Sequence, residues 1–181
     1  MQMQPIGVIH TPFCEARGTP IQSGAAEGVK GWVEVFDEFL PGLKDLGGFE
    51  RIWLIYWFHQ AASETVSLHV TPYLDTKPRG VFATRAPIRP NCIGLSPVRL
   101  LAIRQNRLET EGMDILDGTP LLDIKPYIPQ FDCFENARSG WAGGANPRGI
   151  LADGRFERKM CGRGVDAGKR KRDRNAQSRS T

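Results

Sequence analysis

Apolar and polar residues alternate over short stretches of this chain, a pattern typical of β-strands with one buried face. The run RIWLIYWF at 51–58 is the most apolar, and its aromatic and β-branched side chains favour a central strand. Residues 37–46 are predicted to form one short helix, which ends at two glycines. Strands are predicted at residues 5–10, 29–36, 51–58, 67–73, 80–84, 93–104, 107–112 and 121–127.

Many short strands, frequent turns and one or two short helices predict an all-β fold, either a barrel or a sandwich. The pattern does not give the strand order. A long loop at residues 11–28 interrupts the strands, and loops of this length in compact domains usually carry function or lack structure.

Residues 84–96, TRAPIRPNCIGLS, place two arginines and two prolines between apolar runs. Because proline fixes its own φ and disfavours helix in the residue before it, residues 85–91 are predicted to be extended and stiff. Arg85 and Arg89 should then point to the same side. Two fixed guanidinium groups suit a carboxylate, a phosphate or the plane of a base. The alternative interpretation is a surface loop with two solvated arginines.

A second candidate segment is the turn from Asp117 to Pro120, sequence DGTP. Asp-Gly before a β-branched residue and proline is a turn signal by itself, and a plain turn is the alternative interpretation. The turn also brings a carboxylate and a hydroxyl close to backbone N–H groups. These groups suit a ribose diol or an ammonium group.

The composition fits one globular domain with a core and a tail: 181 residues, of which 40% are hydrophobic. No apolar run reaches the length of a membrane span, and the first residues do not resemble a secretory signal. The cysteines are widely spaced, which favours free thiols in a reducing compartment. We therefore expect a cytoplasmic protein without metal. The cysteines are Cys14, Cys92, Cys133 and Cys161.

Positive charge is concentrated near the C-terminus. Residues 155–181 contain ten Lys or Arg and three Asp or Glu, so residues 1–154 carry a net charge of −3 while the whole chain carries +4. The stretch KRKRDR at 169–174 has no apolar periodicity and is predicted to be disordered. It is either a solubilising tail or a phosphate-seeking arm for nucleic acid.

Several catalytic signatures are absent from the sequence. No Gly-x-Gly-x-x-Gly follows a strand and no P-loop occurs, so an ordinary dinucleotide or Rossmann-type site is not expected. The three histidines, His10, His59 and His69, have no metal-ligand spacing and are interpreted as structural. An enzyme built on this chain would work by positioning a reactive cosubstrate.

Five motifs in one order resemble the TrmO-like (TsaA-like) family of tRNA methyltransferases. They are IGVIHTPF at 6–13, TPIQSG at 19–24, FERIWLIYWFH at 49–59, GVFATRAPIRPNCIGLS at 80–96 and DGTPLLDIKPY at 117–127. The resemblance implies a β-barrel that binds S-adenosylmethionine without a Rossmann fold, usually as a homodimer. It implies methylation of N6 of threonylcarbamoyladenosine beside the tRNA anticodon. Residues 1–141 would form this domain, and 142–181 a glycine-rich, then basic, disordered tail.

The resemblance also implies site residues. Arg89 is expected to pair with the methionine carboxylate, and Arg85 and Asn91 to face the tRNA or brace the turn. His59 is the candidate general base, with a backbone carbonyl or water as alternatives. The rings near Trp57 and Phe58 are expected to receive the sulfonium or to be plain core. The residues expected to contact S-adenosylmethionine are Gln22, Ser23, Gly24, His59, Gln60, Arg89, Asp117, Gly118, Thr119 and Pro120.

Three further hypotheses concern the substrate. The chain after Trp141 lacks the additional C-terminal domain of the long bacterial members, and the basic tail is expected to replace its grip on tRNA. A methyltransferase for a small molecule is one alternative. A non-catalytic nucleic-acid-binding barrel is the other, although the negative charge of residues 1–154 argues against it.

Overall fold

Eight β-strands carry the fold in a computed structural model, whose described residues are 2–61 and 67–157. Six strands form one closed barrel, and β4 and β5 pair with each other outside it. The strands are β1 Gly7–His10, β2 Lys30–Val35, β3 Arg51–Trp57, β4 His69–Val70, β5 Arg79–Gly80, β6 Ile93–Arg104, β7 Arg107–Glu111 and β8 Thr119–Pro126.

Around the barrel the strands follow the order β1-β2-β7-β6-β3-β8, and all neighbours are antiparallel. β8 pairs with both β3 and β1, which closes the sheet and leaves none of the six strands with a free edge. The register between β6 and β7 shifts between Leu100 and Ala102, where the twelve-residue β6 bends. The prediction of an all-β barrel is confirmed.

The barrel interior follows directly from the alternating sequence. In β3, Ile52 and Leu54 are fully buried and Tyr56 is 4% exposed, while the residues between them face outwards. Burying an aliphatic side chain of this size contributes about 1.5–3 kcal/mol. The other strands supply the remaining interior side chains, which include Ile9, Val33, Val35, Val98, Leu108 and Leu121.

Two glycines permit close approaches inside this barrel. A Cβ atom on Gly7 of β1 would lie 2.1 Å from the backbone oxygen of Glu34 in β2. A Cβ atom on Gly94 of β6 would lie 2.2 Å from Cε2 of Tyr56, which pairs with it in β3. Both positions are therefore restricted to glycine by space.

The helices are short. The helix expected at residues 37–46 is two 3-10 segments, Asp37–Leu43 and Leu46–Gly48, separated at Asp45 by a backbone φ of 66°. Further 3-10 segments are Ser23–Ala25, Val81–Ala83 and Gly140–Gly144, and the four-residue α-helix α1 is Pro129–Asp132. None of the helices in the described part of the chain is long and apolar enough to span a membrane.

The segment around the two arginines differs from its prediction. The strand expected at 80–84 is wrong, because β5 ends at Gly80 and Val81–Ala83 is a 3-10 helix. The extended ribbon expected at 85–91 is also wrong. The Cys92 amide donates to the carbonyl of Arg89 at 3.2 Å, which makes residues 89–92 a β-turn. Pro90 occupies the second position of this turn, where its fixed φ favours turning.

The chain after β8 packs back against the barrel. The Gly18 amide donates to the carbonyl of Ala152 at 2.9 Å, and the Ala152 amide donates to the carbonyl of Thr19 at 2.8 Å. Phe156 is buried in a second cluster that contains Val81. This packing continues beyond residue 141, the predicted end of the domain, as far as residue 157. The basic tail predicted at the C-terminus lies outside the described residues.

Candidate functional site

A cavity of about 850 Å³ opens at one end of the barrel. Tyr56, near the end of β3, pairs with Gly94, near the start of β6, so these two strand ends meet there. Residues within the segments 16–22, 72–74, 82–89, 114–116 and 139–157, together with Thr119, contribute the other walls. The volume is typical of sites for small molecules or cofactors.

Two guanidinium groups lie in the cavity wall. Arg89 Nη1 donates to the carbonyls of Thr84 at 2.8 Å and Val81 at 3.2 Å, which fixes the arginine against its own loop. Arg85 Nη1 donates to Oε1 of Gln22 at 2.6 Å. An arginine has five N–H donors. Within the described chain the hydrogen bonds of Arg89 involve Nη1 alone, which leaves its Nε and Nη2 groups without a protein partner.

His59 forms a second polar group in the cavity. Its Nδ1 lies 3.3 Å from Oγ1 of Thr119, and that hydroxyl donates its proton to the carbonyl of Leu116 at 2.7 Å. Nδ1 must therefore carry the imidazole proton, and Nε2 accepts a hydrogen bond from the side-chain amide Nε2 of Gln60 at 3.3 Å. Burial lowers the pKa of His59, which favours this neutral form.

The turn at residues 117–120 is tied mainly to the N-terminal strand. Oδ1 of Asp117 accepts a hydrogen bond from the Thr11 amide at 3.1 Å and lies 3.4 Å from Nδ1 of His10. The Gly118 amide donates to the carbonyl of Ile9 at 2.9 Å. Of the four residues in this turn, Thr119 lines the cavity.

The structure brings half of the predicted site residues together. The cavity lining contains Gln22, His59, Gln60, Arg85, Arg89 and Thr119. Phe58 also lines it, whereas Trp57 is 48% exposed and lies outside the lining. In residues 2–61 and 67–157, no cluster of three or more His, Cys, Asp or Glu side chains could hold a metal ion. The predicted residues outside the lining are Ser23, Gly24, Asn91, Asp117, Gly118 and Pro120.

Sequence reasoning missed a polar group in the cavity wall, formed by Asp114, Ser96 and Tyr56. The hydroxyls of Tyr56 and Ser96 lie 3.1 Å apart in the interior. Burial raises the pKa of Asp114 to about 6, while the hydroxyl of Ser96 opposes that rise. Burial and the charge of Asp114 also raise the pKa of Tyr56, so this phenol stays protonated. The signal in the sequence was the single acidic residue between the apolar Met113 and Ile115.

The C-terminal segment also contributes to the site. Trp141 lines the cavity and donates from Nε1 to the carbonyl of Ala83 at 2.7 Å. The guanidinium of Arg79 lies 5.7 Å from the centre of the Trp141 ring. Phe156 lines the same cavity. These contacts join the C-terminal part of the described chain to residues near its middle, and no local sequence motif predicts them.

Comparisons with known proteins agree on one family. The family model described as the tRNA-methyltransferase O N-terminal domain matches residues 8–133. A probable S-adenosyl-L-methionine-binding protein of Pyrococcus abyssi is 56% identical over 138 residues, which cover 76% of this chain and 74% of the relative. The mouse tRNA (adenine(37)-N6)-methyltransferase is 33% identical over 138 residues, 74% of this chain and 32% of that protein.

A solved structure supports the same relationship. The crystal structure of TrmO from Pseudomonas aeruginosa matches with a TM-score of 0.66 and 40% identity, over 78% of this chain and 62% of that one. The chain therefore spans less than two thirds of the length of this solved relative. The fold, the matched family model and the sequence identities together show that the chain belongs to the TrmO family, in the part that corresponds to the tRNA-methyltransferase O N-terminal domain.

Proposed function

We propose that this protein is an S-adenosylmethionine-dependent methyltransferase that acts on tRNA in the cytoplasm. The proposed product carries the methyl group on N6 of threonylcarbamoyladenosine beside the anticodon. The observation that carries the proposal is the cavity with its fixed Arg89 and neutral His59, in a chain of the TrmO family. The relative from Pyrococcus abyssi, a probable S-adenosyl-L-methionine-binding protein, supports the methyl donor, and the mouse tRNA (adenine(37)-N6)-methyltransferase supports the tRNA acceptor.

The groups in the cavity suit S-adenosylmethionine. The free N–H groups of Arg89 match a carboxylate. The amides and hydroxyls near His59 suit ribose or adenine, and the ring of Phe58 suits a cationic sulfur. The volume also leaves room beside one such ligand for part of an acceptor base.

The chain contributes binding, orientation and a partly apolar wall. S-adenosylmethionine supplies an electrophilic methyl group on a sulfonium, and the protein must align it with the acceptor nitrogen. Arg89, fixed to two carbonyls, can orient the donor without reorganising. Both nitrogens of His59 have protein partners, which fix the orientation of the ring in the cavity wall.

The test is transfer of labelled methyl groups from S-adenosylmethionine to total tRNA, followed by digestion to nucleosides and mass spectrometry. The proposal expects label in N6-methyl-N6-threonylcarbamoyladenosine and none in transcripts made in vitro, which lack threonylcarbamoyladenosine. Label in a small metabolite would instead identify a small-molecule methyltransferase. The absence of label, with tRNA still bound, would indicate a non-catalytic binding barrel.

Arg89→Ala is expected to weaken binding of S-adenosylmethionine at least tenfold, because the carboxylate loses a bidentate cationic partner. Isothermal titration calorimetry measures the affinity. Arg89→Lys is the matched control: it keeps the charge but not the planar fork, and we expect intermediate affinity. Unchanged affinity in the alanine variant, with an unchanged melting temperature, would remove Arg89 from the site.

We also propose a homodimer. Trp57 and Ile93 are cross-strand partners on the outward-facing side of β3 and β6, and Leu95 lies two residues further along; Ile93 and Leu95 also border the cavity. These side chains are 48%, 36% and 51% exposed, which is unusual for large apolar groups placed side by side. Sedimentation velocity should show a dimer that Leu95→Glu converts to a monomer. Leu101→Glu, at an exposed position further along β6, should leave it intact.

A further inference from the structure

Asp114 is the acidic group most deeply placed in the cavity wall. It lies in the loop between β7 and β8, where the amides of Gly112 and Met113 donate to the carbonyl of Val29. Met113 and Ile115, at 0% and 2% exposure, point into the core. Because alternate residues of an extended segment face opposite sides, Asp114 is directed away from the core and into the cavity wall.

The carboxyl of Asp114 is only partly satisfied by the protein. Its Oδ1 is buried and accepts no hydrogen bond from any residue that the structure describes. The hydroxyl of Ser96 and the amide of Ser23 interact with the carboxyl and oppose the rise in its pKa. Buried polar atoms normally have a partner. A donor on a bound ligand would supply the missing partner.

The other charged and titratable groups of the cavity do not neutralise this carboxyl. Arg85 is the cation whose charge reaches it, and that effect is the smallest of those acting on its pKa. The hydroxyl of Tyr56 stays protonated and lies against Ser96. The remaining groups of this kind in the lining are His59, Tyr73, Arg89 and Glu157.

We propose that Asp114 is a catalytic residue that accepts the N6 proton of the acceptor adenine during methyl transfer. This inference rests on the proposed function and names the base that it requires. The N–C bond forms as the S–C bond breaks, the electron pair of that bond stays on sulfur as a thioether, and the N6 proton passes to Asp114. The protonated carboxyl then releases its proton to solvent when the product leaves.

The environment of Asp114 suits this task. Burial raises its pKa to about 6, which is closer to neutral pH than an ordinary aspartate and still leaves it ionised at pH 7. His59 is less suited, because its Nε2 already accepts from Gln60. Ser96 lies between Asp114 and Tyr56 and therefore supports the carboxylate from the protein side.

The test compares wild type with Asp114→Asn and Asp114→Glu under saturating S-adenosylmethionine and tRNA. In wild type, kcat should rise with pH through about 6 and then level off, because the base works only when ionised. Asp114→Asn should lower kcat at least a hundredfold and abolish this rise of kcat with pH, the acidic limb of the profile. Asp114→Glu should restore part of the activity and the limb. Persistence of the limb in Asp114→Asn would overturn the proposal.

A second measurement separates this role from a structural one. Because burial raises the carboxyl's pKa in the folded state, its contribution to stability falls as pH rises from about 4 to 6 and stays low above pH 6. Asp114→Asn should therefore melt at a higher temperature than wild type at pH 8, while binding S-adenosylhomocysteine within twofold of wild type. A lower melting temperature, or a tenfold loss of that affinity, would contradict a purely catalytic carboxylate.

The control is Asp123→Asn on β8, which lies outside the cavity lining and pairs with Lys125 at 2.9 Å. It should leave the pH profile unchanged. Failure of the proposed function has a different signature: wild type itself would then bind no S-adenosylhomocysteine or would transfer no methyl group to tRNA. If wild type is active and Asp114→Asn retains the limb, the base assignment alone fails.

Discussion

Gly7→Ala should destabilise the protein by about 3 kcal/mol or more, at the upper end of the range for overpacked sites. The added Cβ would lie 2.1 Å from the backbone oxygen of Glu34. That atom belongs to the β1–β2 ladder and cannot move aside as a flexible side chain would. Gly7 also pairs with Leu121 of β8, so relief of the clash would open the barrel where it closes.

Urea unfolding monitored by tryptophan fluorescence measures this loss. Gly48→Ala is the control, because a Cβ atom there meets nothing within 4 Å and its backbone φ is not in the left-handed region. That variant should differ from wild type by less than about 1 kcal/mol. Equal stability of Gly7→Ala and wild type would mean that β1 and β2 are not held as closely as the structure has them.

Gly94→Ala should cost about 2–3 kcal/mol and also impair the cavity. The new methyl group would lie 2.2 Å from Cε2 of Tyr56, whose ring covers the glycine. The ring is buried and packs edge-on against Phe58 at 5.2 Å, so its displacement also separates its hydroxyl from Ser96. We therefore expect weaker binding of S-adenosylhomocysteine together with lower stability.

A double-mutant cycle checks this explanation. Tyr56→Leu removes the ring, so adding Gly94→Ala to it should cost far less stability than Gly94→Ala alone. Tyr56→Phe keeps the ring and should give no such relief. Additive losses in the Tyr56→Leu and Gly94→Ala pair would show that contact with the ring is not the cause.

The barrel strands could be predicted because the order of apolar and polar residues within each strand is enough to identify it. The alternation of apolar and polar residues in β2, β3 and β7 places side chains such as Val33, Leu54 and Leu108 in the interior without reference to partners. The order β1-β2-β7-β6-β3-β8 could not be predicted, since it depends on which strands meet across long connections. The motifs shared with the TrmO family predict the barrel without any information on strand pairing.

The arginine segment shows why local rules failed for part of the site. Two prolines predicted an extended chain, but Pro90 sits where a β-turn favours it and the guanidinium of Arg89 bonds carbonyls of its own loop. Arg85 and Arg89 nevertheless line one cavity. Their shared location comes from the folding of the loop and not from alternation along a strand.

Asp114 and Trp141 could not be assigned from sequence, because their roles arise only when distant segments meet. Asp114 is a single acidic residue in the short apolar stretch that precedes the predicted turn at Asp117. Its unusual environment depends on Ser96 and Tyr56, which come from other strands. Trp141 reaches the carbonyl of Ala83 across 58 positions of sequence.

The segment after β8 has a consequence for protein synthesis. All barrel strands are complete at residue 126, but Trp141 and Phe156 of the cavity wall are translated later. A nascent chain can thus close its barrel on the ribosome before the walls of its ligand cavity are complete. Binding competence should appear only after residue 157 has left the exit tunnel and bridged Ala61.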